Sequence, residues 1–149
     1  MNKKLLMGVA AFCAMGLSAG AWASDFGTPD EAKAMLEKAV AAVKEDQAKA
    51  LEMFTKKEDG FGEKDLYVFC GGPDGNFTAH PKLVGKSLKD LKDKAGKALG
   101  EEMYKDAHEG GMIEVTYMWP RPGEEKPSEK VAYVEKVGDQ ICAVGYYKP

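Results

Sequence analysis

The residues with the clearest chemical potential lie in one stretch, from Tyr67 to Lys86. This stretch carries an imidazole at His80 and, six residues later, an ammonium at Lys86. Pro81 holds the residue before it in an extended conformation, so the imidazole would point in a reproducible direction. A lone histidine is more often structural than functional, and a binding role therefore depends on the groups that accompany it.

Aromatic and basic residues, both within this stretch and later in the chain, supply such companions. Tyr67 and Tyr117 offer hydroxyls, and Trp119 offers an apolar wall with one N–H donor. Lys130 is a second candidate cation, for which a solvated surface lysine is an equally good interpretation. A few donors among aromatic surface suit a small carboxylate such as acetate, pyruvate or lactate, or an amino acid. We predict a ligand site made of Tyr67, Phe69, His80, Lys86, Tyr117, Trp119 and Lys130.

The sequence has none of the usual catalytic or metal-binding patterns. It contains no Gly-x-Ser-x-Gly, Walker loop, dinucleotide glycine pattern, Cys-x-x-Cys or Cys-x-x-Cys-His motif. Two histidines and two mature cysteines would need carboxylates to close a transition-metal site. Asp74-Gly75-Asn76 lacks the acidic residues that follow in a calcium loop and is interpreted as a hairpin turn. We therefore predict no enzymatic activity, no metal and no cofactor.

The first 23 residues have the three parts of a secretory signal peptide. Lys3 and Lys4 form a charged start, residues 5–19 an apolar core, and Ala21-Trp22-Ala23 a small-x-small cleavage signal. We predict cleavage after Ala23 and a periplasmic location for the remaining protein.

Cleavage leaves one predicted domain, residues 24–149, of 126 residues. Two of the 21 basic residues are lost and all 24 acidic ones remain, so the formal net charge becomes −5. This mildly acidic balance predicts no nucleic-acid partner. Cys70 and Cys142 both remain, and an exported compartment would allow them to form a disulfide. Two buried free thiols are an equally good interpretation.

The lead-in to the candidate site has the pattern of an amphipathic helix. Thr28 to Glu31 is a helix start with a capping residue, a proline at the first helical position and a capping-box glutamate. Apolar residues then recur at intervals of three and four until Lys56, which predicts one long helix that could bend near Asp46-Gln47. Its apolar stripe would pack on the domain's own sheet or, alternatively, form a dimer face.

Five β-rich segments surround the site. Residues 66–70 and 77–78 flank a glycine-rich turn, and residues 113–119, 130–137 and 140–147 form an antiparallel meander. Between the two groups, we predict a short helix capped by Ser87 and a second helix after Gly96, which carries Leu99, Met103, Tyr104 and Ala107. The order indicates an α+β fold with one antiparallel sheet and helices on one face.

Strand alternation places four apolar residues of the third strand on one face, and we expect this face to meet the helical connection. These residues are Ile113, Val115, Tyr117 and Trp119.

Several motifs, in order from about Asp30 to Tyr147, resemble the single Cache domain, an extracytoplasmic sensor domain of bacterial chemoreceptors and histidine kinases. The motifs are Tyr67-Val-Phe, Asp74-Gly75, Ala79-His80-Pro81, Val84-Gly85-Lys86, Gly110-Gly111, Tyr117-Met-Trp119-Pro120, Lys130-Val-Ala-Tyr133 and Val144-Gly145-Tyr146-Tyr147.

The resemblance implies a PAS-like five-stranded antiparallel sheet, with a long N-terminal helix across its back. It also implies a pocket for a small organic anion between the sheet and the connection after the second strand. Receptor members continue into a membrane helix after the last strand, whereas this sequence stops at Pro149. We therefore expect a stand-alone module that signals through a separate membrane receptor or kinase. The alternative is an interaction module with an empty pocket and a homodimer through the N-terminal helix.

Overall fold

The computed structural model describes residues 25–149. The predicted signal peptide lies outside the described residues, so its cleavage stays a prediction. The first helix, α1, spans Pro29–Glu45. It begins with the predicted capping box, in which the Thr28 hydroxyl accepts the Glu31 N–H at 3.2 Å and the Glu31 carboxylate accepts the Thr28 N–H at 2.8 Å. The sequence therefore predicted this helix start correctly.

The prediction of one long helix up to Lys56 is wrong, but the helix breaks at the place where a bend was expected, near Asp46-Gln47. Asp46 has an extended backbone, with φ −153° and ψ 96°, and separates α1 from a second helix, α2, at Gln47–Lys56. The Asp46 carboxylate accepts the backbone N–H of Lys49 at 3.2 Å and so caps the start of α2. None of the helices among residues 25–149 is long and apolar enough to cross a membrane.

The sheet is antiparallel throughout, and the predicted five-stranded arrangement is confirmed with one additional two-residue strand, β1. The strand order is β1-β2-β6-β5-β4, and β3 pairs with β2. The strands are β1 Gly62–Glu63, β2 Leu66–Gly71, β3 Phe77–Ala79, β4 Ile113–Pro120, β5 Pro127–Val137 and β6 Gln140–Tyr147. Strand β5 begins three residues earlier than predicted, because Pro120 and Pro127 are still paired across the β4–β5 hairpin.

The connection between β3 and β4 contains one helix, α3 at Leu99–Asp106, and the predicted short helix after Ser87 is absent. The Ser87 hydroxyl accepts the Asp90 N–H at 3.1 Å, which stabilises a single turn. The chain does not continue as a helix, because the Asp93 carboxylate takes the N–H groups of Ala95 and Lys97 at 3.0 and 2.9 Å.

Both faces of the sheet are covered, so the expectation of helices on one face is wrong. The apolar stripe of α1 packs with α2 on the face that carries Val68, Cys70 and Val144. Helix α3 and the segment before it cover the opposite face, which carries Phe69 and Tyr117. The stripe therefore packs on the domain's own sheet, which was the first of its two interpretations.

A disulfide joins the adjacent strands β2 and β6. Cys70 and Cys142 are directly paired across the ladder, with 4.1 Å between their Cα atoms, and both are fully buried. The bridge encloses a sequence separation of 72 residues. It lies on the face that α1 and α2 cover, and so it reinforces the sheet from the side opposite the candidate site.

Replacing both cysteines with alanine is expected to lower the free energy of unfolding by about 4 kcal/mol, because the unfolded chain regains the entropy that the closed loop removes. Urea denaturation of the wild type and the double variant measures the difference. Wild-type protein in reductant is the matched control and should approach the variant. If both thiols are alkylated without reductant, as judged by mass, the bridge does not form in solution.

Candidate functional site

Aromatic side chains of strands β2 and β4 lie on the face of the sheet that α3 covers. On β2, Val68 and Cys70 point toward the helices α1 and α2, so Tyr67 and Phe69 point the other way. On β4, Tyr117 lies in the same cluster as Tyr67 and Phe69, and Trp119 packs against it. The predicted direction of the aromatic face of this strand is confirmed.

His80 follows β3 and has one ring nitrogen already occupied. Its Nδ1 accepts the backbone N–H groups of Lys82 at 2.9 Å and Leu83 at 3.1 Å. A nitrogen that accepts two hydrogen bonds carries no proton, so the hydrogen of the neutral ring must be on Nε2. The ring lies edge-on to Tyr67 and Phe77, with centroid distances of 5.3 and 5.1 Å. His80 therefore offers the site one uncharged N–H donor.

Burial and, to a lesser extent, the nearby ammonium groups of Lys130, Lys57 and Lys82 together lower the pKa of His80 to about 3. The side chain is only 7% exposed, which leaves little water to solvate an imidazolium. His80 is thus neutral at any pH near 7.

Lys130 is fully buried, with 0% of its surface exposed. Its Nζ donates to the Tyr67 hydroxyl oxygen at 3.0 Å. Among residues 25–149, no carboxylate lies within 4.0 Å of this ammonium. The interpretation of Lys130 as a solvated surface lysine is therefore wrong.

Aromatic rings surround the Lys130 ammonium in place of a counter-charge. Cation–π attraction and one phenol hydrogen bond offset part of the cost of burial, but an unpaired buried charge stays expensive. The distances from Nζ to the ring centroids are 4.3 Å for Tyr67, 5.2 Å for Tyr147, 5.7 Å for Phe69 and 5.9 Å for Tyr117. We call these four rings and Lys130 the lysine cage.

Two phenols of the lysine cage, Tyr117 and Tyr147, remain protonated. Burial raises the pKa of Tyr117 well above its usual value and raises that of Tyr147 as well. Tyr147 donates its hydroxyl hydrogen to the carbonyl of Pro120 at 2.7 Å. The cage consequently holds one positive charge and no negative one.

Gly145 makes room for the stem of Lys130. The two residues lie on neighbouring strands, and a Cβ atom at position 145 would overlap the methylene carbons of Lys130. Close approach of a side chain to the backbone thus requires glycine here.

Two cavities adjoin the cage. The cleft has a volume of about 170 Å³ and opens between the Pro81-Lys82 turn and the Pro120–Glu124 turn. The inner chamber, lined mainly by buried side chains, has a volume of about 10 Å³, which is room for roughly one water molecule. Tyr67, His80 and Trp119 line both cavities, so they form the wall between them.

The rim of the cleft is cationic. Lys57, Lys82 and Arg121 line it, together with a single carboxylate residue, Glu124. Positive groups around a concave opening raise the local concentration of anions. The cleft is therefore suited to a negatively charged ligand.

The seven predicted site residues fall into four groups. Tyr67, His80 and Trp119 line the cleft, and Phe69 and Tyr117 line the inner chamber. Lys130 lies behind the ring of Tyr67. Lys86 is exposed and lines neither cavity, and its carbonyl accepts the N–H of Phe77 at 2.8 Å. The structure therefore places six of the seven together and puts Lys86 outside.

Sequence reasoning missed the rim cations and Asp93. Asp93 is 7% exposed and accepts the backbone N–H of Met118 at 2.9 Å, which with its bonds to Ala95 and Lys97 holds the pKa of this carboxyl low. It ties the segment before α3 to the open edge of β4, next to Trp119. The position of Lys82 directly after His80-Pro81, and that of Arg121 between two prolines, could have indicated these cations. Asp93 could not be found in this way, because an acceptor of backbone N–H groups has no sequence pattern.

No group of three or more His, Cys, Asp or Glu side chains that could hold a metal ion is present among residues 25–149.

Lowering the pH is expected to destabilise the fold through His80. Its folded pKa of about 3 lies below the ordinary 6.5, so the unfolded chain binds the extra proton, and stability is full above pH 6.5 and is lost as the pH falls toward 3. At pH 4.5 this amounts to about 3 kcal/mol. His80→Asn, which keeps an acceptor near Nδ1, should remove this part of the pH dependence of urea unfolding.

The exposed histidine supplies the control for that experiment. His108→Asn should leave the pH dependence close to that of the wild type. Equal slopes for wild type and His80→Asn between pH 6.5 and 4.5 would show that His80 titrates normally.

Gly145→Ala is expected to lower the free energy of unfolding by about 1–3 kcal/mol, because the new methyl group would overlap the Lys130 stem. Lys130→Ala should cancel most of this loss, which makes the two changes non-additive. Additive losses in thermal or urea unfolding of the single and double variants would contradict the proposed contact.

Comparisons with known proteins agree with this architecture. A family model described as the Cache domain matches residues 31–147. A solved periplasmic sensor domain of a chemotaxis protein superposes with a TM-score of 0.58 at 23% identity, covering 80% of this chain and 90% of that one. A Cache chemosensory domain, described for its recognition of carboxylic acids, superposes with a TM-score of 0.59 at 24% identity, covering 80% and 88%.

The two solved structures show the shared fold, an α+β sensor-domain architecture with an antiparallel sheet. The family model extends from the first turn of α1 to the last residue of β6. It therefore includes every strand and the whole lysine cage. This chain belongs to the Cache domain family.

Proposed function

We propose that this chain is a periplasmic sensing domain that binds a small carboxylate or an amino acid and signals through a separate membrane partner. The observation that carries the proposal is the lysine cage, a buried ammonium without a carboxylate among the described residues. A bound anion would supply the missing charge. The ligand class named for one matched structure, carboxylic acids, supports the same choice.

Tyr67 is the group through which the cage would act on a ligand. Its hydroxyl oxygen accepts from Lys130 Nζ, so its own hydrogen is left to donate toward the cavities that Tyr67 lines. A phenol that accepts from an ammonium is a stronger donor, because hydrogen bonds in a chain polarise one another. The positive charge can therefore favour an anion without direct contact.

His80 would supply the second donor. Its Nε2–H is not needed by the backbone, since both turn N–H groups go to Nδ1. A carboxylate that accepts from both Tyr67 and His80 would be held by two donors of the wall between the cleft and the inner chamber. Trp119 would cover its apolar part.

Location and partner follow from the family together with the sequence. Membership in the Cache family indicates an extracytoplasmic domain, and the predicted signal peptide supports the periplasm in particular. We infer a membrane receptor or kinase as the partner that detects occupancy. An interaction module with an empty pocket is the competing function, but α1 already uses its apolar stripe on the sheet, so a dimer would have to use the polar face of this helix.

A carboxylate or amino acid is expected to raise the melting temperature of the mature protein. A ligand at 100 times its dissociation constant adds about 2.7 kcal/mol of stability. Lys130→Met should abolish the shift while the protein still folds, because a buried charge is replaced by an apolar chain of similar length. Lys86→Met tests the sequence-based choice of counter-charge, and Lys105→Met on α3 is the matched surface control.

The outcome also separates the two functions. Lys86→Met should keep the ligand shift, and its loss there with retention in Lys130→Met would move the site away from the cage. No shift from any carboxylate or amino acid, together with a concentration-dependent dimer in sedimentation, would favour the interaction module.

A further inference from the structure

Arg121 belongs to the cleft and to the borders of the domain at once. It lies in the turn after β4 and lines the cleft. Its guanidinium is also 4.6 Å from the ring of Phe26 and 5.2 Å from that of Tyr147. Nη2 donates to the carbonyl of Lys148 at 3.3 Å. One side chain therefore contacts both the leading segment, residues 25–28, and the trailing segment, residues 148–149.

Asp65 faces Arg121 without closing a hydrogen bond to it. The carboxylate oxygen Oδ2 lies 3.9 Å from Arg121 Nε, and both atoms are buried with no hydrogen-bond partner. The other oxygen, Oδ1, accepts the N–H of Gly27 at 2.7 Å, so Asp65 also fastens the leading segment. The two side chains carry opposite charges, but their facing atoms are too far apart to form a hydrogen bond.

Because Arg121 Nε makes no hydrogen bond to Asp65, the guanidinium can bond to another acceptor without losing one. A buried polar atom without a hydrogen-bond partner costs free energy. A ligand group that supplies the missing hydrogen bond removes this cost and therefore binds more tightly. A carboxylate in the cleft would compete with Asp65 for the guanidinium, because a planar carboxylate can accept two parallel N–H bonds from arginine. Arg121 lines the cleft and contacts both segments.

We propose that Arg121 is a shared binding residue. It holds the leading and trailing segments while the cleft is empty, and a bound anion recruits its guanidinium away from Asp65 and loosens that hold. The inference rests on the proposed function and adds a residue to its site and a route by which occupancy reaches the borders of the domain. By thermodynamic reciprocity, a loosened border must favour the anion as much as the anion loosens the border.

The first experiment needs no ligand. Amide hydrogen exchange by NMR reports on the Gly27 N–H, which is bonded to Asp65. Arg121→Gln and Arg121→Lys should both accelerate exchange at Gly27, the lysine variant less, because it keeps the charge but loses the stacking on Phe26 and Tyr147. Lys82→Gln is the matched control, since it removes another cation that lines the cleft. Unchanged exchange in both Arg121 variants would overturn the anchoring role.

The second experiment uses acetate, pyruvate and lactate as probes, with affinities from calorimetry. Asp65→Asn should bind the effective probe about 5-fold or more tightly, because the competing negative charge is gone. Arg121→Lys should bind it more weakly, and the probe should accelerate Gly27 exchange in the wild type but not in Arg121→Lys.

The two failures are distinguishable. If a probe binds the wild type but Arg121→Lys binds equally well and Gly27 exchange does not respond, the shared role is wrong and the proposed function stands. If none of the probes binds, a carboxylate-sensing function fails and recruitment fails with it, while the first experiment still decides whether Arg121 anchors the segments.

Discussion

The arrangement of the site depends on one interaction, the buried ammonium of Lys130 against the hydroxyl of Tyr67. Several features of the fold keep this charge out of water. A glycine at position 145 leaves space for the lysine stem, four aromatic rings replace the solvent, and His80 is kept neutral partly by the positive charge beside it. A site with one buried cation and neutral donors is complementary to an anion and to little else.

Strand β2 connects this charge to the rest of the domain. Alternate residues of the strand face opposite sides, so Val68 and Cys70 pack under the helices while Tyr67 and Phe69 line the site. The bridge from Cys70 to Cys142 and the ladder to β6 hold the strand from the covered side. The strand that carries the donor Tyr67 is therefore held in place from the side opposite the site.

Local patterns were enough for much of this arrangement and failed where long-range contacts decide. The Thr28 capping box and the alternation in β4 are set by neighbours in sequence, and both were predicted correctly. A bend near Asp46-Gln47 was anticipated but a complete break was not, because aspartate in a helical pattern fits an interior or a cap equally well. Lys86 and Lys130 have the same chemistry, and only the pairing of β5 with β6 decides which of them is buried. Asp93 was missed because its partners are backbone groups.

The hydrogen bonds of His80 also bear on what the site does to its ligand. A general base needs a free lone pair within reach of the substrate. In this imidazole the only lone pair is Nδ1, which already accepts two backbone N–H groups, and Nε2 carries the hydrogen. Tyr117 and Tyr147 are protonated because burial raises their pKa values. Groups without a free basic lone pair facing the ligand hold an anion in place without taking a proton from it, which is the property that a sensor of occupancy requires.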